Sequence, residues 1–99
     1  MKKISLTAEY VELLAHSELT ATAYKCLMLL MIGAKTSAQV ADTLHIKRQN
    51  ASRYIAELSD RGLVTVDRVE GRNKFVRAVT DIREINRLTM IVDGQTSLL

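Results

Sequence analysis

The sequence predicts a mainly α-helical fold with one small β-hairpin (α+β class), and three observations lead to this expectation. Apolar residues recur at helical spacing in a chain of 99 residues that has no proline and only four glycines. Residues 36–64 contain two short helical patterns separated by a tight turn. A β-rich, charged segment with a turn at its centre follows directly. The length fits one domain, in which a helix-turn-helix precedes a charged hairpin, or wing.

Two helices are predicted in the N-terminal third of the chain. The first covers residues 7–17. The second starts near Thr20 or Thr22, either of which can cap it, and ends at Gly33. Because this second helix is apolar nearly all round, we expect it at the centre of the fold or in a subunit interface.

The third predicted helix begins at Thr36. Gln39 follows three residues later, which is the spacing of a capping box. His45 then occupies the turn position where helix-turn-helix proteins often have glycine. Histidine tolerates positive φ better than most residues, so the turn remains compatible with this sequence.

The fourth predicted helix spans residues 48–61 and has two different faces. At about 100° per residue, Ala51, Ile55, Leu58 and Gly62 cluster on one side, which we expect to face the core. The opposite side is then free for a partner. It carries Gln49, Asn50, Arg53 and Glu57, flanked by Lys47, Arg48, Ser52 and Tyr54.

The hairpin is predicted from β-rich residues at 64–69 and 74–79, joined by a turn at 70–73. In the simplest register Arg77 shares a face with Phe75, so the alternation of polar and apolar residues is imperfect. The position of each strand is therefore predicted with more precision than the register between them.

A last helix is predicted over residues 81–93, with Thr80 or Asp81 as its cap and Gly94 as its end. The final five residues, 95–99, are expected to be frayed. One apolar stripe runs along this helix and consists of Ile82, Ile85, Leu88 and Val92.

The positive charge of the chain is concentrated in its centre. The net charge is +3. Residues 34–64 hold five Lys and Arg against three Asp and Glu, and residues 65–80 hold four against two. This is the sign expected of a surface that faces phosphates, although a solvated surface with chance asymmetry would look the same. A helix face with amide and guanidinium groups is suited to base edges, so the sequence predicts binding of double-stranded DNA.

Several other kinds of site are disfavoured. Cys26 is the only cysteine, which excludes an intramolecular disulfide, and its uncharged helical setting favours a buried structural thiol over a redox switch. His16 and His45 lack partners at ligand spacing, so no metal site is expected. No phosphate-binding loop and no Ser/His/Asp grouping occurs, so we expect neither an enzyme nor a cofactor.

The chain is expected to be cytoplasmic and nucleoid-associated. Its N-terminus has two lysines but lacks the apolar segment of a signal peptide. The longest apolar run, residues 26–33, is too short to span a bilayer. We therefore expect no membrane partner.

The run ASRYIAELSDRGLVTVDRVEGRNKFVRAVTD resembles the recognition helix, wing and exit strand of winged helix-turn-helix regulators, particularly MarR-like proteins. The earlier run LTATAYKCLMLLMIGAKTSAQVADTL resembles the preceding helix pair, so the resemblance covers residues 19–81. MarR-like proteins usually have longer chains with extra terminal helices for dimerisation, and commonly a capping Ser or Thr where Lys47 stands here. The length fits a compact variant from a phage, plasmid or small bacterial regulator, and any small-molecule effector stays unknown.

The resemblance also implies a set of DNA contacts. It places Gln49, Asn50 and Arg53 at the floor of the major groove, where amides pair with adenine and guanidinium groups with guanine. The implied phosphate contacts are Lys47, Arg48 and Ser52, with Thr36 or Ser37 at the start of the third helix. The implied wing contacts, to the backbone or the adjacent minor groove, are Arg72, Asn73 and Lys74.

Three functions are open at this level. The first is a transcriptional regulator that binds a pseudo-palindromic site as a homodimer, through its apolar second helix or its amphipathic last helix. The second is a plasmid or phage segregation or replication factor that coats repeated sites. The third is a winged helix that binds another protein, which Glu57 and Asp60 near the exposed helix face would suit.

Overall fold

The computed structural model describes residues 6–97 and confirms the predicted fold class, five helices with a two-stranded antiparallel hairpin. Side chains are described as far as Thr89. The elements follow one another as α1 (Ala8–Ala15), α2 (Ala21–Ile32), α3 (Ser37–Leu44), α4 (Arg48–Asp60), β1 (Val64–Glu70), β2 (Asn73–Ala78) and α5 (Ile82–Ser97).

Threonine hydroxyls cap the first three helices. The Oγ1 atoms of Thr7, Thr20 and Thr36 each accept the backbone N–H three residues later, at 3.2 Å. Gln39 returns a bond to the backbone N–H of Thr36 at 3.0 Å, so the predicted capping box is confirmed. α4 differs, because Lys47 at its N-cap makes no side-chain capping bond.

The turn between α3 and α4 has the left-handed geometry that the sequence required of His45. This residue has φ 57° and ψ 44°, and its N–H donates to the carbonyl of Ala41. The N–H of Ile46 donates to the same carbonyl at 3.1 Å. The expectation that His45 adopts positive φ is therefore confirmed.

α4 ends in a Schellman motif. The N–H of Gly62, at φ 73°, donates to the carbonyl of Ser59 at 2.9 Å. The N–H of Leu63 donates to the carbonyl of Leu58 at 3.0 Å. These two bonds satisfy carbonyls that the helix end would leave free, and Gly62 supplies the left-handed residue without strain.

α2 lies at the centre of the fold, as its apolar composition predicted. It contacts α3, α4 and β2. Its apolar circumference is only partly covered, since Met28 is 55% exposed and Ile32 77% exposed. The residues that it buries are Ala23, Cys26, Leu27 and Leu30.

The wing is a regular hairpin with one irregularity. Its pairs run from Val64 with Ala78 to Glu70 with Asn73, so that a two-residue turn joins the strands. The register shifts between Val66 and Arg68, which leaves Asp67 as the extra residue of a β-bulge. The sequence did not predict this bulge.

α5 extends further than the sequence predicted. The expected end at Gly94 is wrong, because the helix continues to Ser97 and includes residues 95–97 of the expected frayed tail. Residues 98–99 lie outside the described part. Glycine inside a helix costs about 1 kcal/mol relative to alanine but keeps both backbone hydrogen-bonding groups, so it does not by itself end a helix. At the other end Asp81 accepts the N–H of Arg83 at 2.9 Å.

Candidate nucleic-acid interface

The outward face of α4 presents two of the predicted base-reading residues together. Ala51 and Leu58 are fully buried, which fixes the inward face of the helix. Gln49 and Arg53 are exposed, and their spacing of four residues places them on one face opposite this core. An amide and a guanidinium group are thus side by side and accessible to a ligand.

Asn50, the third predicted base reader, lies on a flank of the helix. It is half-buried and lies about 100° around the axis from Gln49. Tyr54, one turn later, occupies the same flank, and the guanidinium carbon of Arg53 lies 5.6 Å from the centroid of the Tyr54 ring. Arg53 therefore leans towards the flank that carries Asn50.

The other flank of α4 faces the wing across an open cleft of about 420 Å³. Ser52, Ala56 and Ser59 line it from α4, while Ser37 and Lys74 reach it from α3 and β2. The cleft thus unites three residues of the predicted set, Ser37, Ser52 and Lys74. Ala56 and Ser59 were not predicted, although their spacing of four and seven residues from Ser52 places them on the same flank.

Basic and polar side chains surround the start of α4. Lys47 and Arg48 are both exposed there. Because Lys47 provides no side-chain cap, it leaves first-turn N–H groups of the helix without a side-chain acceptor. Thr36 is already engaged, since its hydroxyl oxygen accepts the N–H of Gln39.

Ion pairs divide the four basic residues of the wing into two classes. Arg68 pairs with Asp67 at 2.9 Å and with Glu70. Arg77 pairs with Glu84 at 2.9 Å and with Asp67 at 3.8 Å. Arg72 and Lys74 are exposed and form no ion pair within residues 6–97. Asn73, beside them at the start of β2, is also exposed.

Arg68 is held against the wing. Its guanidinium carbon lies 4.1 Å from the centroid of the Phe75 ring. Hydrogen bonds to Glu70 and Asp67 raise the pKa of Arg68 above its ordinary value. This guanidinium group is therefore engaged by three neighbours, in contrast to that of Arg72.

Three further features of the described residues are their potential metal ligands, the lengths of their helices and the environment of Cys26. In this part of the chain no three His, Cys, Asp or Glu side chains come together in a way that could hold a metal ion. None of its helices has the length and apolarity needed to cross a membrane. Cys26 is buried, and this burial raises the pKa of its thiol.

Comparison with solved structures shows the same fold in known winged helices. A possible transcriptional regulator for arsenical resistance is 25% identical, with a TM-score of 0.57 over 89% of this chain and 84% of that one. A cysteine-to-serine mutant of Lactococcus lactis ZitR is 20% identical, with a TM-score of 0.61 over 83% of this chain. Wild-type ZitR in complex with DNA is 19% identical, with a TM-score of 0.60 over 84% of this chain and 59% of that one.

The chain spans 58% of the length of the mutant ZitR chain. A comparison with curated proteins finds no match. The model of the MarR family matches residues 17–72, which is more than half of the chain and contains α2 to α4, β1 and the turn of the wing. The chain therefore belongs to the MarR family.

Proposed function

We propose that this chain binds double-stranded DNA through α4 and the wing, and that it acts as a transcriptional regulator in the cytoplasm, at the nucleoid. One observation carries the proposal. In the wing, Arg68 and Arg77 are already paired with carboxylates, whereas Arg72 and Lys74 have no ion-pair partner among the described residues. Unpaired cations beside an exposed amide and guanidinium face suit a ligand that has both phosphates and base edges.

α4 is proposed to enter the major groove. Gln49 suits the N6 and N7 positions of adenine, and Arg53 suits the O6 and N7 positions of guanine. Asn50 is assigned to the same groove but towards one wall, because it lies on the flank of α4 that faces away from the cleft. This assignment makes Gln49 and Arg53 the central readers.

Phosphate contacts are proposed on both sides of the cleft. Lys47 and Arg48 lie at the positive end of the α4 dipole, where uncapped N–H groups favour an anion. Ser52 and Ser37 offer hydroxyl groups inside the cleft. Thr36 contributes at most its hydroxyl hydrogen, because its oxygen serves as the cap of α3. The proposed contacts of the wing, to the backbone or the adjacent minor groove, are Arg72, Asn73 and Lys74.

The regulator is proposed to act as a homodimer on a two-fold symmetric site. Two recognition helices in successive major grooves require half-sites about 34–36 Å apart, which corresponds to one helical turn of DNA. Self-association is supported by the apolar side chains of α2 that remain exposed in one chain, Met28 and Ile32.

The test is a selection of bound duplexes from a randomised DNA library at physiological salt, followed by sequencing. We expect an enriched inverted repeat with the spacing given above. The double variant Gln49→Ala, Arg53→Ala serves as the matched control and should retain DNA without enriching that sequence. Enrichment of clustered direct repeats would favour a segregation or replication factor. A wild-type chain that retains no duplex even at low salt would reject DNA binding and favour a protein-binding winged helix.

A further inference from the structure

The outer face of the wing carries a row of charged side chains that continues onto α5. The members of this charged row are, from α5 towards the wing tip, Glu84, Arg77, Asp67, Arg68 and Glu70. Each neighbouring pair in this order is within 4.0 Å. The row therefore links an element outside the hairpin to residues next to the wing turn.

The β-bulge explains how the charged row is continuous. Arg77 and Phe75 lie on the outer face of β2, and Arg68 pairs with Phe75 across the hairpin. In a regular strand the residue before Arg68 would point to the inner face. The extra residue at the bulge lets Asp67 lie on the outer face as well, where it contacts both arginines.

Arg77 is the member of the row that joins the wing to α5. Its Nη1 and Nη2 atoms donate to the two carboxylate oxygens of Glu84, at 3.5 and 2.9 Å. The side chains of Arg77 and Glu84 are 36% and 25% exposed. A two-point pair of a planar guanidinium group with a carboxylate fixes direction as well as distance.

Glu84 is itself on a fixed part of the molecule. The next residue, Ile85, is only 3% exposed and lies against Gly62 at the end of α4. The base of the wing is also held, because Val64 and Val76 are buried and Val76 exchanges two backbone hydrogen bonds with Lys35. The distal half of the wing has less support, because Val66 is 46% exposed beside the open cleft and Val69 is 61% exposed. The pair of Arg77 with Glu84, continued by Asp67, thus joins the start of α5 to the part of the hairpin where the exposed distal half begins.

We propose that Arg77 is a positioning residue of the DNA interface, which sets the angle of the wing against α5 so that Arg72 and Lys74 reach phosphates. The inference rests on the proposed DNA-binding function. Arg77 acts without touching DNA, because its guanidinium group faces Glu84 and Asp67. The class of partner that benefits is the sugar-phosphate backbone of duplex DNA.

Removal of the Glu84 charge distinguishes positioning from simple electrostatics by the sign of its effect. Glu84→Gln makes the chain less acidic, so electrostatics alone predicts tighter binding to DNA. If the ion pair positions the wing, its loss lets the wing move, and Arg72 and Lys74 lose part of their contacts with phosphates. Binding should then weaken by about 3- to 10-fold. The two explanations thus make opposite predictions.

The experiment measures affinity for the selected duplex as a function of salt, in full-length wild type and variants. In Glu84→Gln, log K should fall less steeply with log salt and approach the slope of the double variant Arg72→Ala, Lys74→Ala. That double variant should make the slope shallower by up to about 2 units, because each phosphate contact contributes about 0.9. In the Arg72→Ala, Lys74→Ala background, Glu84→Gln should have no further effect. Glu9→Gln is the matched control, since it removes the same charge beside the start of α5 without breaking an ion pair seen in the described residues.

Four results would overturn the inference. Binding by Glu84→Gln that equals or exceeds wild type rejects positioning, and so does an equal loss in the wild-type and Arg72→Ala, Lys74→Ala backgrounds. A loss of binding accompanied by a collapse of thermal stability would assign the pair to folding alone. A wild-type chain that binds no duplex would reject the proposed function and this inference with it, and is recognised without any variant.

Discussion

At the scale of single residues, the surroundings of each guanidinium group decide what it can bind. Arg68 is held by Phe75 and two carboxylates, whereas Arg61 donates to the main-chain carbonyl of Ser17. Arg53 lies over the ring of Tyr54 and forms no ion pair within residues 6–97, and its charge is exposed. Sequence alone counts these three residues as equal positive charges, but only Arg53 is free to meet a ligand at the outward face of α4.

Arg53→Ala should weaken binding to the selected duplex by about 1–3 kcal/mol and relax the preference at one base pair, as expected for one lost bidentate contact. The measurement is a titration of the selected duplex and its single-base variants. Arg61→Ala is the control on the end of the same helix and should leave base preference unchanged. Wild-type affinity and preference in Arg53→Ala would show that another face of α4 reads the bases.

Tyr10 is a buried residue whose hydroxyl group has no hydrogen-bond partner in the described part of the chain. An unpartnered buried hydroxyl costs about 1–3 kcal/mol, and phenylalanine would avoid this cost. Tyr10→Phe should therefore keep or raise the free energy of unfolding at neutral pH by up to about 1 kcal/mol.

The raised pKa of Tyr10 predicts that the folded protein loses stability at high pH. Burial raises the pKa of Tyr10 from 10.0 to about 12. The folded state thus favours the neutral phenol, and the associated stability is complete below pH 10 and falls as the pH rises through 12. A pKa difference of two units between the folded and unfolded states corresponds to a loss of about 3 kcal/mol of stability at most. Denaturant unfolding between pH 8 and 12 should show this loss in wild type and a smaller one in Tyr10→Phe; identical curves would contradict it.

At the scale of elements, helix boundaries were predictable where a local signal sets them. Thr36 with Gln39 forms the capping box that their spacing indicated. Gly62 ends α4 in the left-handed conformation, a local signal that glycine often provides after a helix. These signals act through hydrogen bonds between residues that are close in sequence. For this reason they can be recognised without knowledge of the tertiary structure.

Features that depend on tertiary contacts were not predictable. The bulge at Asp67 goes with contacts across the hairpin, where Asp67 pairs with Arg77 of β2, and no local pattern reveals them. Gly94 carries a signal for a helix end, but α5 continues through it. Asn50 was predicted on the far side of α4 together with Gln49, but it is half-buried on a flank, which the burial pattern of the folded helix reveals.

Gly62 predicts a strong packing effect where α4 meets α5. A Cβ atom there would lie 2.9 Å from the carbonyl oxygen of Ile85 and 2.8 Å from Oγ1 of Thr89. Gly62→Ala should therefore lower the free energy of unfolding by more than the 1–2 kcal/mol or so that positive φ alone costs. Gly71→Ala is the matched control, since its φ is 60° with no atom within 4 Å of a Cβ. Equal losses in chemical denaturation would refute close packing at Gly62.

At the scale of the whole molecule, self-association decides how many half-sites are read together. α5 is 16 residues long, about 24 Å, and its early residue Ile85 is already buried within one chain. Leu88 is half-buried, and the same stripe continues in the sequence at Val92. A second apolar surface lies on α2, where Ile32 is 77% exposed. Among the described side chains of these two helices, the apolar area that stays exposed for a second chain lies on α2.

Ile32→Glu should shift the chain from dimer to monomer, because it places a charge within the exposed apolar surface of α2 that we expect at the interface. Sedimentation equilibrium gives the mass, and binding to the inverted repeat should weaken more than binding to a single half-site. Arg87→Gln makes the same change in net charge at an exposed position of α5, outside the apolar surface of α2, and should leave the dimer intact. If Ile32→Glu remains dimeric while Val92→Glu becomes monomeric, the interface lies on α5. A monomeric wild type would contradict dimeric recognition and limit each chain to one half-site.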